Sequence, residues 1–307
     1  MYRSIVVPLD GSPCAEQALP LALSIASRAG ARLEIVRVEG LYAFEDPHCG
    51  WVPYSPADQA AFKKQEQEYL DAIVKRLQTT AAVPVASALI RGMSDDAIVE
   101  WVRTKQVDLV VMTTHGRGPV NRFWIAGIAI ELARHGPVPV LLVRPQEAAE
   151  DSGLMPTVKR ILIPLDGSEL AEGVLEPAIA LGSVMDAEYT LLRAIEPSSF
   201  LDGLAAMADP GAVERASEER RAEAQAYLDR LAERLRAGGT RVQTEVVLCE
   251  SAAAAILAAA RARNADLIAI ATHGRSGLRR LFLGSVAGKV VRGTPTPLLV
   301  YRPRVGR

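Results

Sequence analysis

Ile5-Val6-Val7-Pro8-Leu9-Asp10-Gly11-Ser12 returns later in the chain as Ile161-Leu162-Ile163-Pro164-Leu165-Asp166-Gly167-Ser168. A short apolar, β-branched run of this kind reads as a strand buried on both faces, as in a parallel sheet. After the first copy, Ser12-Pro13 supplies an N-cap and a first-turn proline. Leu19, Ala22, Leu23 and Ala26 then fall at helical spacing, and Gly30 stands where the helix should stop. Thr114-His115-Gly116-Arg117 likewise returns as Thr272-His273-Gly274-Arg275. Each copy closes on a proline-led apolar run, Val138-Pro139-Val140-Leu141-Leu142-Val143 and Thr296-Pro297-Leu298-Leu299-Val300-Tyr301. The chain is a duplication.

Between these landmarks, strand and helix signals alternate. Strands are expected over 32–39, 84–90 and 107–113, helices over 94–106 and 126–135, and a last strand over 138–144. Leu70, Ile73, Val74 and Leu77 mark a long amphipathic helix. The second half repeats this with strands near 160–165, 188–194, 242–248, 266–271 and 297–302, and Ala224, Leu228, Leu231 and Leu235 on its long helix. Strands separated by helices need crossover connections, which makes the sheet mainly parallel and covered on both faces. The expected fold is therefore α/β: two repeated doubly wound domains, each a mainly parallel five-stranded sheet with helices on both sides. Residues 1–146 and 159–307 form the domains, and the polar stretch 147–158 is the linker.

A chain of 307 residues is long enough for two such cores. The formal net charge of -1 gives no support for a nucleic-acid partner, which would show as a basic excess. Cys14, Cys49 and Cys249 are scattered and odd in number, which points to a reducing compartment. With no secretory h-region before the first strand and no bilayer-length apolar stretch, the expected location is the cytoplasm, without a membrane partner.

The loops after the second strands differ. Leu41 to Pro56 carries Tyr42, Phe44, Trp51 and Tyr54, whereas Pro197 to Pro210 carries Phe200, Leu204 and Met207. Aromatics of this kind either line a ligand or partner surface or, more often, fold onto their own domain.

The chemistry-bearing residues concentrate in the second half. The strand ending in Ile270-Ala271 leads to Gly274 and Arg275, and then to Gly284-Ser285-Val286 at the start of a helix. Glycine lets a phosphate approach the backbone, and free amides with the macrodipole favour an anion at a helix N-terminus. Arg275, Arg279 and Arg280 add positive charge. The plain alternative is that Gly274 turns the chain and Gly284-Ser285 begins a helix. Asp166 lies at the carboxyl end of its strand, where doubly wound sheets bind ligands. It either accepts hydrogen bonds from ribose hydroxyls or serves the following helix beside Ser168. Asp10 has the same two readings.

These segments resemble the universal stress protein family, in a tandem two-domain form, over both halves almost end to end. ATP-binding members carry Gly-x2-Gly-x9-Gly-Ser/Thr, and the second half aligns as Ala271-x2-Gly274-x9-Gly284-Ser285. The resemblance implies that Asp166 contacts ribose, with Pro164 and Leu165 flanking the nucleoside. The backbone near Ala194 and Ile270 would border adenine, and Gly274, Gly284, Ser285 and Val286 would hold the phosphates with Mg²⁺. Ala271 adds a methyl where the family has glycine, so the expectation is weakened rather than abolished binding. In the first half the alignment gives Thr113-x2-Gly116-x9-Ala126-Gly127, with Val38 as the counterpart of Ala194. Only Asp10 and Gly116 persist from the pattern, and Phe123 and Trp124 stand beside the altered turn. This half is expected to be a structural partner with a degenerate site.

Rival motifs fail. Gly284-Ser285-Val286-Ala287-Gly288-Lys289-Val290 spaces its glycines wrongly for a P-loop and lacks the final Ser/Thr. There is no Gly-x-Gly-x-x-Gly after a first strand, and His48-Cys49 has no second pair at zinc spacing. His115 and His273 occupy equivalent turns, which favours a structural role. The leading expectation is a stress-related regulatory protein that binds ATP or a related adenine nucleotide as its small-molecule partner. A slow ATPase or an autophosphorylating protein with Ser285 as acceptor is the alternative, although no general base is identifiable. A ligand-free interaction scaffold is the third. By resemblance, strands 138–144 and 297–302 would meet as an intramolecular pseudo-dimer, with further homo-oligomers open.

Overall fold

The structure is a computed structural model and describes residues 2–39, 43–46, 50–81, 83–92, 94–114, 132, 138–145, 155–196, 212–272 and 285–303. In the first repeat, β1 (Ser4–Pro8) leads to α1 (Pro13–Glu16), α2 (Leu19–Ala29) and β2 (Arg32–Val38). A short hairpin follows, β3 (Ala43–Asp46) and β4 (Gly50–Pro53), then α3 (Pro56–Thr80), β5 (Val85–Ile90), α4 (Ser94–Thr104), β6 (Leu109–Thr113) and β7 (Val140–Val143). The second repeat runs β8 (Arg160–Pro164), α5 (Glu169–Glu172), α6 (Leu175–Met185), β9 (Glu188–Ile195), α7 (Ala212–Ala237), β10 (Val242–Leu248), α8 (Ala252–Ala262), β11 (Leu267–Ala271), α9 (Ser285–Gly293) and β12 (Leu298–Tyr301).

The repeated apolar runs form strands because both faces are covered: Ile5, Val6 and Val7 are fully buried, and so is Ile163. In one compact unit, residues 1–138 with 145–156, the strand order is β6-β1-β2-β5, all parallel where registers are recorded. In the other, residues 139–144 with 157–307, the order is β10-β9-β8-β11-β12-β7. There β7 alone is antiparallel, with Leu142 opposite Leu298 and Val140 opposite Val300. A strand encoded in the first repeat thus belongs to the second compact unit, and the meeting of the two closing strands is observed. Ser24 Oγ donates to the Pro156 carbonyl at 2.7 Å within the first unit.

Two local expectations are refined. The single helix anticipated between Ser12 and Gly30 is two, α1 and α2, separated at Gln17–Ala18. Pro20, in the first turn of α2, has no amide to continue the ladder to Glu16, and the chain starts the helix afresh. The aromatic loop contains an antiparallel hairpin, with Phe44 opposite Val52 and Glu45 opposite Trp51. The helix near 126–135 is described only at Leu132, which is helical and buried.

Candidate functional site

The three strands that matter lie side by side in the second unit, in the order β9-β8-β11, and all run parallel. Their carboxyl ends therefore share one edge, which carries Pro164 at the end of β8 with Leu165 and Asp166 just after it, Ala194 in β9, and Ile270 and Ala271 in β11. The chain leaves β8 toward β9 and later returns on the other side as β11, so β8 and β11 flank the switch point where such sheets open a crevice. Pro164, Leu165, Ile270 and Ala271 are buried and form an apolar floor, whereas Asp166 is exposed at the rim. Leu165 N donates to the Leu192 carbonyl at 2.8 Å and continues the ladder past the end of β8.

The hydrogen bonds of Asp166 show its service to the following helix. Oδ1 accepts from Ser168 N at 3.0 Å and Ser168 Oγ at 2.5 Å, while Ser168 Oγ caps α5 by accepting from Ala171 N at 3.1 Å. Oδ1 thus shapes the loop into the helix. Gly167 makes the turn at φ +81, a conformation that favours glycine.

The first repeat has the same frame with a different setting. Asp10 Oδ1 accepts from Ser12 N at 2.9 Å, and Ser12 Oγ accepts from Ala15 N at 3.1 Å. Asp10 is only partly exposed, and its Oδ2 is enclosed without a hydrogen-bond partner among the described residues. Val38 ends β2, and Thr113 ends β6 fully buried.

Sequence reasoning missed two polar networks that recur in both repeats. Tyr69 on α3 donates to Glu16 Oε1 at 2.9 Å, and Arg76 donates to Glu16 Oε2 at 2.6 Å. In the second repeat, Tyr227 and Arg234 on α7 hold Glu172 in the same way, at 3.1 and 3.3 Å. Each clamp ties the short helix after the aspartate loop to the long helix. Burial, then the neighbouring carboxylate, raises both tyrosine hydroxyls well above the ordinary phenol range. An arginine near the end of the second strand completes each network. Arg37 lies 5.4 Å from the Tyr69 ring centroid and pairs with Glu66 at 3.4 Å. Its counterpart Arg193 donates to the Leu165 carbonyl at 3.3 Å. Ala224 stands three residues before Tyr227, as Glu66 stands before Tyr69, and no carboxylate pairs with Arg193 among the described residues. The signal was present in the sequence, since Glu16 to Tyr69 and Glu172 to Tyr227 span nearly equal separations, 53 and 55 residues.

Of the residues expected to serve phosphates, Ser285 is the first residue of α9 and exposed, and Val286 follows it half-buried. Gly274, Arg275 and Gly284 lie outside the described residues, as do Arg279 and Arg280. So do His273 and, in the first repeat, His115, Gly116, Phe123, Trp124, Ala126 and Gly127, together with Tyr42, His48, Cys49, Phe200, Leu204 and Met207. No group of three or more His, Cys, Asp or Glu suited to a metal ion exists among the described residues. Among them too, no helix is long and apolar enough to cross a membrane.

Two repeats, each with an aspartate at the carboxyl end of its first strand, define a duplicated, mainly parallel α/β protein. The universal stress protein family model matches residues 1–144 and 157–302, and the chain belongs to that family. It is similar to the universal stress protein Rv1996 of Mycobacterium tuberculosis strain H37Rv, 28% identical over 318 residues, covering 97% of this chain and 94% of that one. The universal stress protein MJ0531 of Methanocaldococcus jannaschii is 34% identical over 144 residues, covering 47% of this chain and 82% of its own length. A crystal structure of a universal stress protein from Archaeoglobus fulgidus shares the fold, with a TM-score of 0.72 at 17% identity over 99% of this chain and 97% of that one.

Proposed function

We propose that this protein is a stress-related regulatory protein that binds ATP or a related adenine nucleotide, held mainly in its C-terminal repeat. Occupancy would bias its conformation or its choice of partner. The observation that carries the reading is the exposed Asp166 at the β8–β11 switch point, set over a buried apolar floor. Arg193 beside it supports an anionic ligand, whereas in the first repeat Glu66 neutralises the matching Arg37. Pro164, Leu165, Ala194 and Ile270 would border the nucleoside. Gly274, Arg275, Gly284, Ser285 and Val286 would serve the phosphates, with the Ala271 methyl weakening the fit. Mg²⁺ would be held through phosphate oxygens and water, the usual arrangement where protein carboxylates are few.

The reading includes a cytoplasmic setting, supported by the free thiols Cys14 and Cys249. It includes domains over 1–146 and 159–307 with 147–158 between them. The β7–β12 ladder supports an intramolecular pseudo-dimer.

Isothermal titration of the full chain with ATP, ADP and cyclic AMP, with and without Mg²⁺, tests the proposal. Asp166→Asn keeps an oxygen for Ser168 N but removes the charge. It should weaken binding by about tenfold or more, the loss expected for a hydrogen bond to a charged group. Asp10→Asn should leave affinity unchanged. No uptake by the wild type at millimolar nucleotide would reject the reading.

A further inference from the structure

Helix α9 is the element whose first residue, Ser285, faces the phosphates in the reading above, and its other end is held by a residue from far away in sequence. Arg144, directly after β7, donates through Nη1 to the carbonyl of Arg292 and to that of Thr294, each at 3.0 Å. These partners lie 148 and 150 residues downstream. A helix C-terminus presents carbonyls with no intrahelical donor and carries the negative end of the macrodipole. One guanidinium there satisfies the Arg292 carbonyl and places a positive charge where the dipole favours it.

The neighbouring contacts make this end a fixed point. Thr294 N donates to the Val290 carbonyl at 3.1 Å, and Thr294 Oγ1 accepts from Thr296 N at 3.0 Å. Gly293 packs so closely on α8 that a Cβ there would lie 2.7 Å from Leu257 Cδ1. A nine-residue helix is a stiff rod, so the anchoring of its C-terminus sets where its N-terminal amides point. At the opposite end Ser285 is exposed.

We infer that Arg144 is a positioning residue for the C-terminal nucleotide site: the first repeat in sequence supplies the anchor that aims α9 at the phosphates. The inference rests on the nucleotide reading, and it makes the C-terminal site incomplete without the segment 139–144. Arg302 occupies the matching place after β12.

The test uses the full chain carrying Arg144→Met, which keeps the aliphatic stem, and Arg144→Lys, which keeps the charge but not the double contact. ATP affinity is measured by titration, and amide hydrogen exchange is followed in the ligand-free protein. The Met variant should bind ATP on the order of two- to tenfold more weakly. Its α9 amides should exchange faster while those of β7 and β12 keep wild-type rates, and the Lys variant should fall between. Wild-type affinity in the Met variant overturns the inference. So does exchange that rises equally in β7 and β12, because Arg144 would then act on the strand pair. A wild type that takes up no ATP, with α9 still loosened in the variant, overturns the nucleotide reading and leaves Arg144 as an anchor of the helix alone.

Discussion

Gly11 and Gly167 offer a matched pair of perturbations, because both hold φ +81 after the aspartate of their repeat. An alanine in the left-handed region costs about 1–2 kcal/mol at either site from backbone sterics alone. The surroundings then separate them. A Cβ at Gly167 would lie 3.2 Å from Arg193 Nη1, a tight contact that a small shift of the guanidinium relieves. A Cβ at Gly11 would lie 3.1 Å from Arg37 Cζ and well inside contact distance of Nη1, so Arg37 has to leave. Leaving breaks the ion pair with Glu66, whose side chains are 21% and 14% exposed, and moves the guanidinium off the Tyr69 ring. Those two contacts together are worth about 1 kcal/mol in a partly buried setting. Gly11→Ala should therefore cost about 2–3 kcal/mol and Gly167→Ala about 1–2 kcal/mol. A two-repeat protein need not unfold in one step, so native-state hydrogen exchange of β1 and β8 amides is the appropriate assay. In a cycle with Arg37→Ala, the extra cost at Gly11 should vanish. Equal costs at the two glycines, or strict additivity in the cycle, would refute the steric argument.

Other expectations follow from the same contacts. Tyr227→Phe removes the hydroxyl that holds Glu172 and should cost about 0.5–1.5 kcal/mol, read as faster exchange in α5 with α8 unaffected. Glu39 is pushed up by burial, but Lys63 at 2.8 Å and Arg91 at 3.0 Å outweigh this and hold its carboxyl below the usual range. Its stabilisation is thus present above the unfolded-state pKa and lost as pH falls through the lower folded value. The stability gap between wild type and Glu39→Gln should close on acidification below about pH 4, and a gap that widens there would contradict the assignment. Burial and then the nearby Asp10 charge push the Cys14 thiol up, so peptide mapping should find it alkylated more slowly at neutral pH than a free cysteine, with the rate rising as pH increases.

The signals legible in the sequence were local or periodic. The repeated apolar run, the Ser12-Pro13 and Ser168 caps and Gly30 depend on neighbours within one turn or one strand, and they placed β1, β8, the start of α1 and the end of α2 within a residue or two. The aspartate at the carboxyl end of each first strand was legible for the same reason, since strand direction fixes which edge it occupies. Pro20 carried the signal for the break between α1 and α2, yet the helical stripe from Leu19 to Ala26 masked it. Tertiary structure alone decided the rest. Nothing local in Glu16 or Tyr69 says that they meet, because that contact depends on how α3 lies across β2. The pairing of Glu66 with Arg37 acquires meaning only once α3 brings those two side chains together. Likewise β7 reads as any closing strand, and its antiparallel pairing with β12 follows from register across the sheet. Short-range sterics and periodicity are written into adjacent residues, whereas contacts separated by fifty to a hundred and fifty residues depend on the packing of whole elements.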